Sequence, residues 1–377
     1  MGKSTKMRIS IILSVLLIFQ CFTAFAAEQN NSTEYDLQTA IDTAIKNSNY
    51  LKLSDEKIKN ASDSYYYYWN LAISVANNTI SRKQYETDYD LIEYKKQELL
   101  YPKQKLNDLN NLKYDKQNKI IDIKLDVTEK YFSLLSIDKK ITYQQGLLDR
   151  LQAELKVKKN DVKIGKSTNN AVTEVELKIR QADNKMVQLN REKEKMTMTL
   201  NALLGRPISD QIKIKEMDIP QIEYVISDIE AIIADRQKNS ASIKSINFDI
   251  QCAKLEVEII KGITKREDPI ELDTLEITQL TQEYALLDEM SNIEKYIRQE
   301  NNSILNLKDE IQIKKLNNEI CHKNLEVEQQ KLKLGLVSQA DINSAINASE
   351  QAGIDYLQAQ LNYYLEVVRF NAYMEKQ

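Results

Sequence analysis

Helix breakers and reactive side chains are the scarce residues of this chain. Its 377 residues hold 7 glycines, 4 prolines, 3 cysteines and a single histidine. So little Gly and Pro, beside 29% charged residues, excludes a strand-and-turn architecture and points to long helices. One histidine excludes most histidine-based catalysis and metal binding. His322 lies beside Cys321, but neighbouring helix residues diverge by about 100°, so the two are not a ligand pair. Two cysteines outside the leader make no disulfide framework. Cys252 and Cys321 fall at apolar helical positions and read as buried thiols. An excess of basic residues is also lacking: 52 Lys and Arg face 56 Asp and Glu, a net charge of −4, which argues against a nucleic-acid partner. Gly165-Lys166-Ser167-Thr168 mimics the end of a phosphate-binding loop, but Asn160 stands where the first Gly belongs and no strand precedes it. No nucleophile, base and orienting group can be assembled from the spacing. The chain reads as a non-enzyme without cofactor or metal.

Residues 1–26 read as a secretory signal peptide rather than as fold. Lys3, Lys6 and Arg8 precede the apolar run Ile9–Phe19, and Ala24-Phe25-Ala26 offers a small-residue cleavage site. The run is too short for a transmembrane helix. Cys21 raises lipidation, which Phe19-Gln20 disfavours as lipobox residues.

The dominant feature is a duplication. A shift of 170 residues lays Leu332–Glu375 over Val162–Gly205 without a gap. Gly165 falls on Gly335, Val172 on Ile342, Gln188 on Gln358 and Asn201-Ala202 on Asn371-Ala372. Upstream, Ile123, Val127 and Leu134 fall on Ile293, Ile297 and Ile304. The opening of each half recurs at a shift of 192, with Lys46-Asn47-Ser48 on Lys238-Asn239-Ser240. The first half therefore carries 22 extra residues within about 62–122. Self-similarity at a fixed period outranks local propensity. It predicts a mainly α fold of two tandem repeats, each a long antiparallel coiled-coil helical hairpin, with little or no β. The expected units are a first repeat over 35–207, a connector over 208–223 and a second repeat over 224–377.

Asp36 or Thr33 can cap a first helix whose Leu37, Ala40, Ile41, Ala44 and Ile45 share one face. The extra stretch begins with Tyr65, Tyr66, Tyr67, Tyr68 and Trp69. Five consecutive aromatics cannot share one helix face. Either some pack on a neighbour and the rest lie at the surface, or they form a belt where the chain meets a membrane or a complex. Pro102 breaks or kinks the chain. From about 103 to 162 one helix carries Ile120, Ile123, Val127, Leu134, Ile141, Leu148, Leu151 and Leu155 at the spacing of a coiled-coil seam. Ile164-Gly165 turns the chain, with Ser167-Thr168 capping the return helix. That helix stops at Gly205-Arg206-Pro207, and Gln211–Lys215 reads as a short strand. The second half is expected as a helix over 225–261, a break near Gly262 and Pro269, a long helix to Leu334, the Gly335 turn and a last helix.

These residues resemble the TolC family of outer-membrane efflux channels over essentially the whole chain after the leader. The likeness is carried by Asp36-Leu37…Lys46-Asn47-Ser48, Lys130–Leu135, Gly335-Leu336-Val337-Ser338-Gln339-Ala340-Asp341-Ile342, the Asn201–Pro207 helix end and the duplication. The resemblance implies a homotrimeric tube of helical hairpins in the cell envelope, part of a tripartite efflux system. The turns at Gly165 and Gly335 would be its tips. There an adaptor (membrane fusion) protein, coupled to an inner-membrane pump, would dock through Lys166, Ser167, Leu336, Val337 and Ser338. The family's aperture carboxylate six past the turn Gly is present as Asp341. The first repeat has Ala171 there, and Ser344, Val337 and Leu332 stand where other members of the closing network would be. Asp341 alone carries over.

A second departure concerns the membrane. The family inserts two strands per half to close a β-barrel, and a barrel strand needs ~9–11 alternating residues. Neither 70–122 nor 262–290 shows this: Leu71–Ile80 is the best candidate, and Thr264–Thr278 is too charged. The expectation is a reduced barrel, or a tube without one that spans a cell wall. The alternatives to an export channel are a non-conducting coiled-coil scaffold of the envelope and, less favoured, a helical-hairpin adaptor. The latter's β-rich domains need more turn glycines than this chain has.

Overall fold

A computed structural model describes residues 34–77, 87–226, 228–264 and 269–376. The signal peptide, Thr33, Ile80 and residues 265–268 of the second strand candidate lie outside the described residues. After a short strand β1 (Glu34–Tyr35) come α1 (Leu37–Asn47), α2 (Asn49–Asn77), α3 (Asp88–Leu99), α4 (Tyr101–Lys163) and α5 (Asn169–Leu203). Strand β2 (Lys213–Ile214) lies in the connector, and α6 (Ile229–Asn239), α7 (Ala241–Ile263), α8 (Pro269–Lys333) and α9 (Gln339–Glu375) follow. The mainly α fold of two tandem hairpins is the one expected.

The helix bounds follow the repeat. At a shift of 192, α6 superposes on α1 end to end and α7 starts where α2 does; at 170, α8 ends where α4 does and α9 starts where α5 does. The long helices α4 and α8 have 63 and 65 residues, about 95 Å each at 1.5 Å per residue. Pro102 sits in the first turn of α4, where its missing N–H is no loss. Ile123, Val127 and Leu134 are buried, as are their repeat mates Ile293, Ile297 and Ile304. One seam thus serves two separate cores. The first gathers Ala40, Ala44, Tyr131, Phe132, Leu200 and Leu204. The second gathers Ile233, Ile243, Tyr363, Val367 and Phe370.

The structure corrects the reading of 225–261 as one helix. Residues 225 and 226 are irregular, and the Asp228 carboxylate accepts from Ala231 N and caps α6. A second interruption falls at Ser240, with ψ 136°, as at its mate Ser48, with ψ 112°. Each serine lets the following helix change direction, so Ile233 of α6 and Ile243 of α7 reach the same core. The connector over 208–223 holds no helix, and residues 224–226 after it are likewise irregular. Ile212, Ile214 and Met217 pack on the first core and Tyr224 and Ile226 on the second, and β2 pairs in parallel with β1. Of the two cysteines read as buried, Cys252 is and Cys321 is only half-buried.

Among the described residues, the extra stretch of the first half includes α3. Thr87 and Asp90 close a capping box on α3, and the Tyr94 phenol donates to Val75 O at 2.5 Å. Ile92 and Leu100 pack on Cys252, Ile259, Ile260 and Ile263 of α7, with Lys96 paired to Glu256 at 2.6 Å. The insert thereby ties the far end of the first half to the second. Among the described residues neither 70–122 nor 262–290 contains a strand: Leu71–Asn77 belongs to α2, and the described part of 269–278 belongs to α8. Both stretches satisfy their main chain within a helix.

Candidate functional site

The two hairpin tips are built alike from local rules. Gly165 and Gly335 have φ of +72° and +70°, a conformation Gly adopts without steric penalty. Each sits in a helix-end motif of two backbone bonds. Gly165 N donates to Val162 O at 3.1 Å and Lys166 N to Asp161 O at 2.7 Å; Gly335 N and Leu336 N donate to Leu332 O and Lys331 O, both at 2.9 Å. These bonds satisfy carbonyls that the helix end leaves free. Thr168 then caps α5 by accepting from Ala171 N, and Ser338 caps α9 by accepting from Asp341 N.

Asp341 lies in that second cap. Its Oδ2 accepts from Ser338 N at 2.8 Å and from Ser338 Oγ at 2.7 Å, and these bonds hold its carboxyl below the ordinary carboxylate range. Its mate Ala171 has no such partner to offer, so the second tip alone combines a reciprocal cap with a surface carboxylate. Both tips expose an apolar residue that the sequence did not place among the docking residues: Ile164 is 64% and Leu334 73% exposed. The gapless overlay of the repeats was the signal that would have found them, since each immediately precedes its turn Gly. Lys166, Ser167, Leu336, Val337 and Ser338 share the two turns with them, Leu336 strongly exposed.

The aromatic run occupies α2. Tyr65 and Tyr68 are half-buried, Tyr68 meeting Tyr101 edge-on with 5.9 Å between ring centres. Tyr66, Tyr67 and Trp69 are exposed. The structure therefore separates the five along the helix circumference and places them in the upper part of α2, far in sequence from either tip.

Between the halves, α4 packs antiparallel against α9, with Phe132 and Tyr364 meeting at 5.0 Å between ring centres and polar pairs spread along the contact. Arg369 Nη2 meets Glu129 Oε2 at 3.0 Å, Lys140 Nζ meets Gln358 Oε1 at 2.6 Å, Arg150 Nε meets Asn347 Oδ1 at 2.8 Å, and Lys376 meets Asp122 at 2.6 Å. Arg369 also holds Glu366 at 3.1 Å. Glu300 hydrogen-bonds Glu366, and burial together with that second carboxylate pushes its pKa up to about 7. The long helices thus form a row α5–α4–α9–α8, in which α5 packs on α4 and α8 on α9. Among the described residues no cluster of three or more His, Cys, Asp and Glu is arranged to hold a metal, and no helix is long and apolar enough to cross a membrane.

No protein-family model and no curated protein matches this sequence. Solved structures do match its fold. A membrane protein from Pseudomonas aeruginosa superposes at a TM-score of 0.67 with 13% identity, over 90% of this chain and 93% of its own. CusC, described in terms of folding and transmembrane channel formation, does so at 0.65 with 12% identity, over 92% and 95%. The outer-membrane channel OprN does so at 0.63 with 10% identity, over 90% of each. At such identities the likeness concerns the backbone alone. This chain has the fold of the outer-membrane efflux channels, the fold expected from its resemblance to the TolC family.

Proposed function

We propose that the chain is an export-channel component of the TolC type and not an enzyme. Three copies would close a helical tube. The tips at Gly165 and Gly335 would dock an adaptor protein through Ile164, Lys166, Ser167, Leu334, Leu336, Val337 and Ser338, and the adaptor would couple the tube to an inner-membrane pump. Three copies of Asp341 at the tip would favour cations at the aperture. The observation that carries this reading is the shared architecture over nine-tenths of the chain, with two tips built by the same motif. Likeness to outer-membrane channels supports an exported, envelope location. The helical course of α2, α3 and α7 supports a tube whose far end is capped by helices, with Tyr66, Tyr67 and Trp69 as surface that meets a membrane or a neighbour.

The test is light scattering of residues 27–377, with and without detergent, followed by conductance in planar bilayers. The reading expects a three-chain particle and, for the Asp341→Asn variant, weaker cation preference. A single chain under both conditions would overturn it. A three-chain particle without conductance would favour the scaffold.

A further inference from the structure

Ile219–Glu223 of the connector, together with α8 and α9, line an open cleft of about 510 Å³, a size that suits a small molecule. Its edge is fixed where Tyr224 N donates to the buried Tyr363 phenol oxygen at 3.2 Å. The lining has two chemistries. Ile219, Ile222, Ile311 and Tyr356 make one part apolar, and Lys308 and Lys315 of α8 bring two ammonium groups. Lys308, Ile311, Gln312 and Lys315 follow one another by three, one and three residues, which puts both lysines on a single helix face. Among the described residues neither lysine has an ion-pair partner, whereas the adjacent Lys314 meets Asp355 at 3.9 Å. Glu223 is the one carboxylate of the lining.

The duplication shows that this charge belongs to the second hairpin alone. At the shift of 170, Lys308, Lys315, Tyr356 and Tyr363 have as mates Asp138, Gln145, Met186 and Lys193. In the first hairpin Lys193 pairs with Asp138 at 2.6 Å, an ion pair that joins α5 to α4. In the second, a lysine stands where the carboxylate was and a tyrosine where its lysine was. The cross-helix pair is gone, and a second lysine and a second ring have been added beside it. Either lysine by itself would be an ordinary solvated side chain. Together they flank an apolar strip, and their charge is left for something outside the chain to meet.

We propose that this cleft binds a small amphipathic anion, a molecule with one sulfonate, carboxylate or phosphate head and a ring-sized apolar body. The head lies between Lys308 and Lys315, and the body covers Ile219, Ile222 and Tyr356. Two ammonium groups select an anion over a neutral molecule. Burial of the apolar wall selects an aromatic anion over an inorganic one. A molecule seated there touches the connector and both helices at once, so its binding stiffens Gln221–Glu223. The site lies within one chain and does not depend on how many copies assemble.

The test titrates the full chain with anilinonaphthalene sulfonate and, in parallel, with the uncharged N-phenylnaphthylamine, while amide hydrogen exchange reports on the connector. The sulfonate should slow exchange at Gln221–Tyr224 and bind less tightly as salt is added. The double variant Lys308→Gln, Lys315→Gln keeps side-chain length and helix propensity, so its far-UV circular dichroism should not change. It should bind the sulfonate about fivefold more weakly or worse and leave the uncharged probe unaffected. Tyr356→Ala should weaken both probes. If the double variant binds the sulfonate as well as the unsubstituted chain, or if exchange in the connector does not respond, the proposal is overturned. Equal protection of the connector by inorganic sulfate would overturn it too, because the apolar wall would then have no part in binding.

Discussion

The phenol of Tyr131, fully buried on α4, donates to the main-chain carbonyl of Lys215 at 2.6 Å and lies 3.2 Å from that of Tyr35. One side chain thereby fastens the β1–β2 pair, and with it the start of the connector, to the longest helix of the first half. Tyr131→Phe leaves the ring packed and removes the donor. The loss is expected to be about 1–3 kcal/mol, the cost of a buried acceptor left without its partner. Denaturant unfolding followed by far-UV circular dichroism checks it; an unchanged midpoint would mean that the clamp is idle.

Three glycines with positive φ allow a controlled comparison. A Cβ at Gly165 or Gly335 would meet nothing within 4 Å, whereas at Gly205 it would lie 2.8 Å from Asn47 Cβ. Alanine at a tip should therefore cost only the left-handed backbone term, about 1–2 kcal/mol. Gly205→Ala adds a clash and displaces Asn47, whose Nδ2 donates to Leu204 O at 2.7 Å. Its destabilisation should exceed that of Gly165→Ala in parallel melts, and equal losses would contradict the packing described.

The Ser338–Asp341 cap predicts a pH signature at one tip only. Hydrogen bonds from Ser338 depress the Asp341 carboxyl below its ordinary value of 3.8. A depressed carboxyl contributes stability that is present above the unfolded value and lost as pH falls through the folded one. Asp341→Asn should therefore loosen the start of α9 at neutral pH and make little difference in strong acid. Ser338→Ala should cost about 1 kcal/mol. Hydrogen exchange at the amides of Ala340–Ile342, compared with the Thr168 tip, reads both effects.

Glu300 gives the opposite sign. Its pKa of about 7 lies above the ordinary 4.5, because burial and the neighbouring Glu366 oppose its charge while Arg369 offsets them only in part. Between those two values the folded chain binds more protons than the unfolded one, so this pair makes stability fall as pH rises, levelling above about 7. Glu300→Gln, which keeps a donor for Glu366 and never ionises, should flatten that slope and leave the variant the more stable at pH above 7. Identical pH profiles for both proteins would show that Glu300 is not the group responsible.

Much of the fold was legible before any coordinates. Gly165, Gly335 and Gly205 mark their helix ends because a left-handed residue there is a local demand that Gly meets best. Asp36 caps α1 for an equally local reason, accepting from Thr39 N at 2.7 Å. The buried mates Val127 and Ile297 follow from periodicity and duplication alone. The break at Ser240 was missed because Ser is compatible with a helix interior, and only the need to turn α7 toward the second core selects the extended conformation. Ile164 was placed in its turn, but neither it nor Leu334 was among the expected docking residues, because sequence alone does not show whether an apolar residue before a turn Gly is buried or exposed.

The sequence by itself determined the tandem repeat, the four long helices and the position of both tips. Each of these rests on interactions within a few residues, or on a pattern repeated at a constant interval. Tertiary structure decided the rest: that the extra stretch of the first half includes α3, which lies on α7, that Arg369 bridges Glu129 and Glu366, and that Glu300 meets Glu366. Those contacts join residues up to 240 positions apart. Their partners are chosen by which helix flanks face each other, and no single helix specifies that.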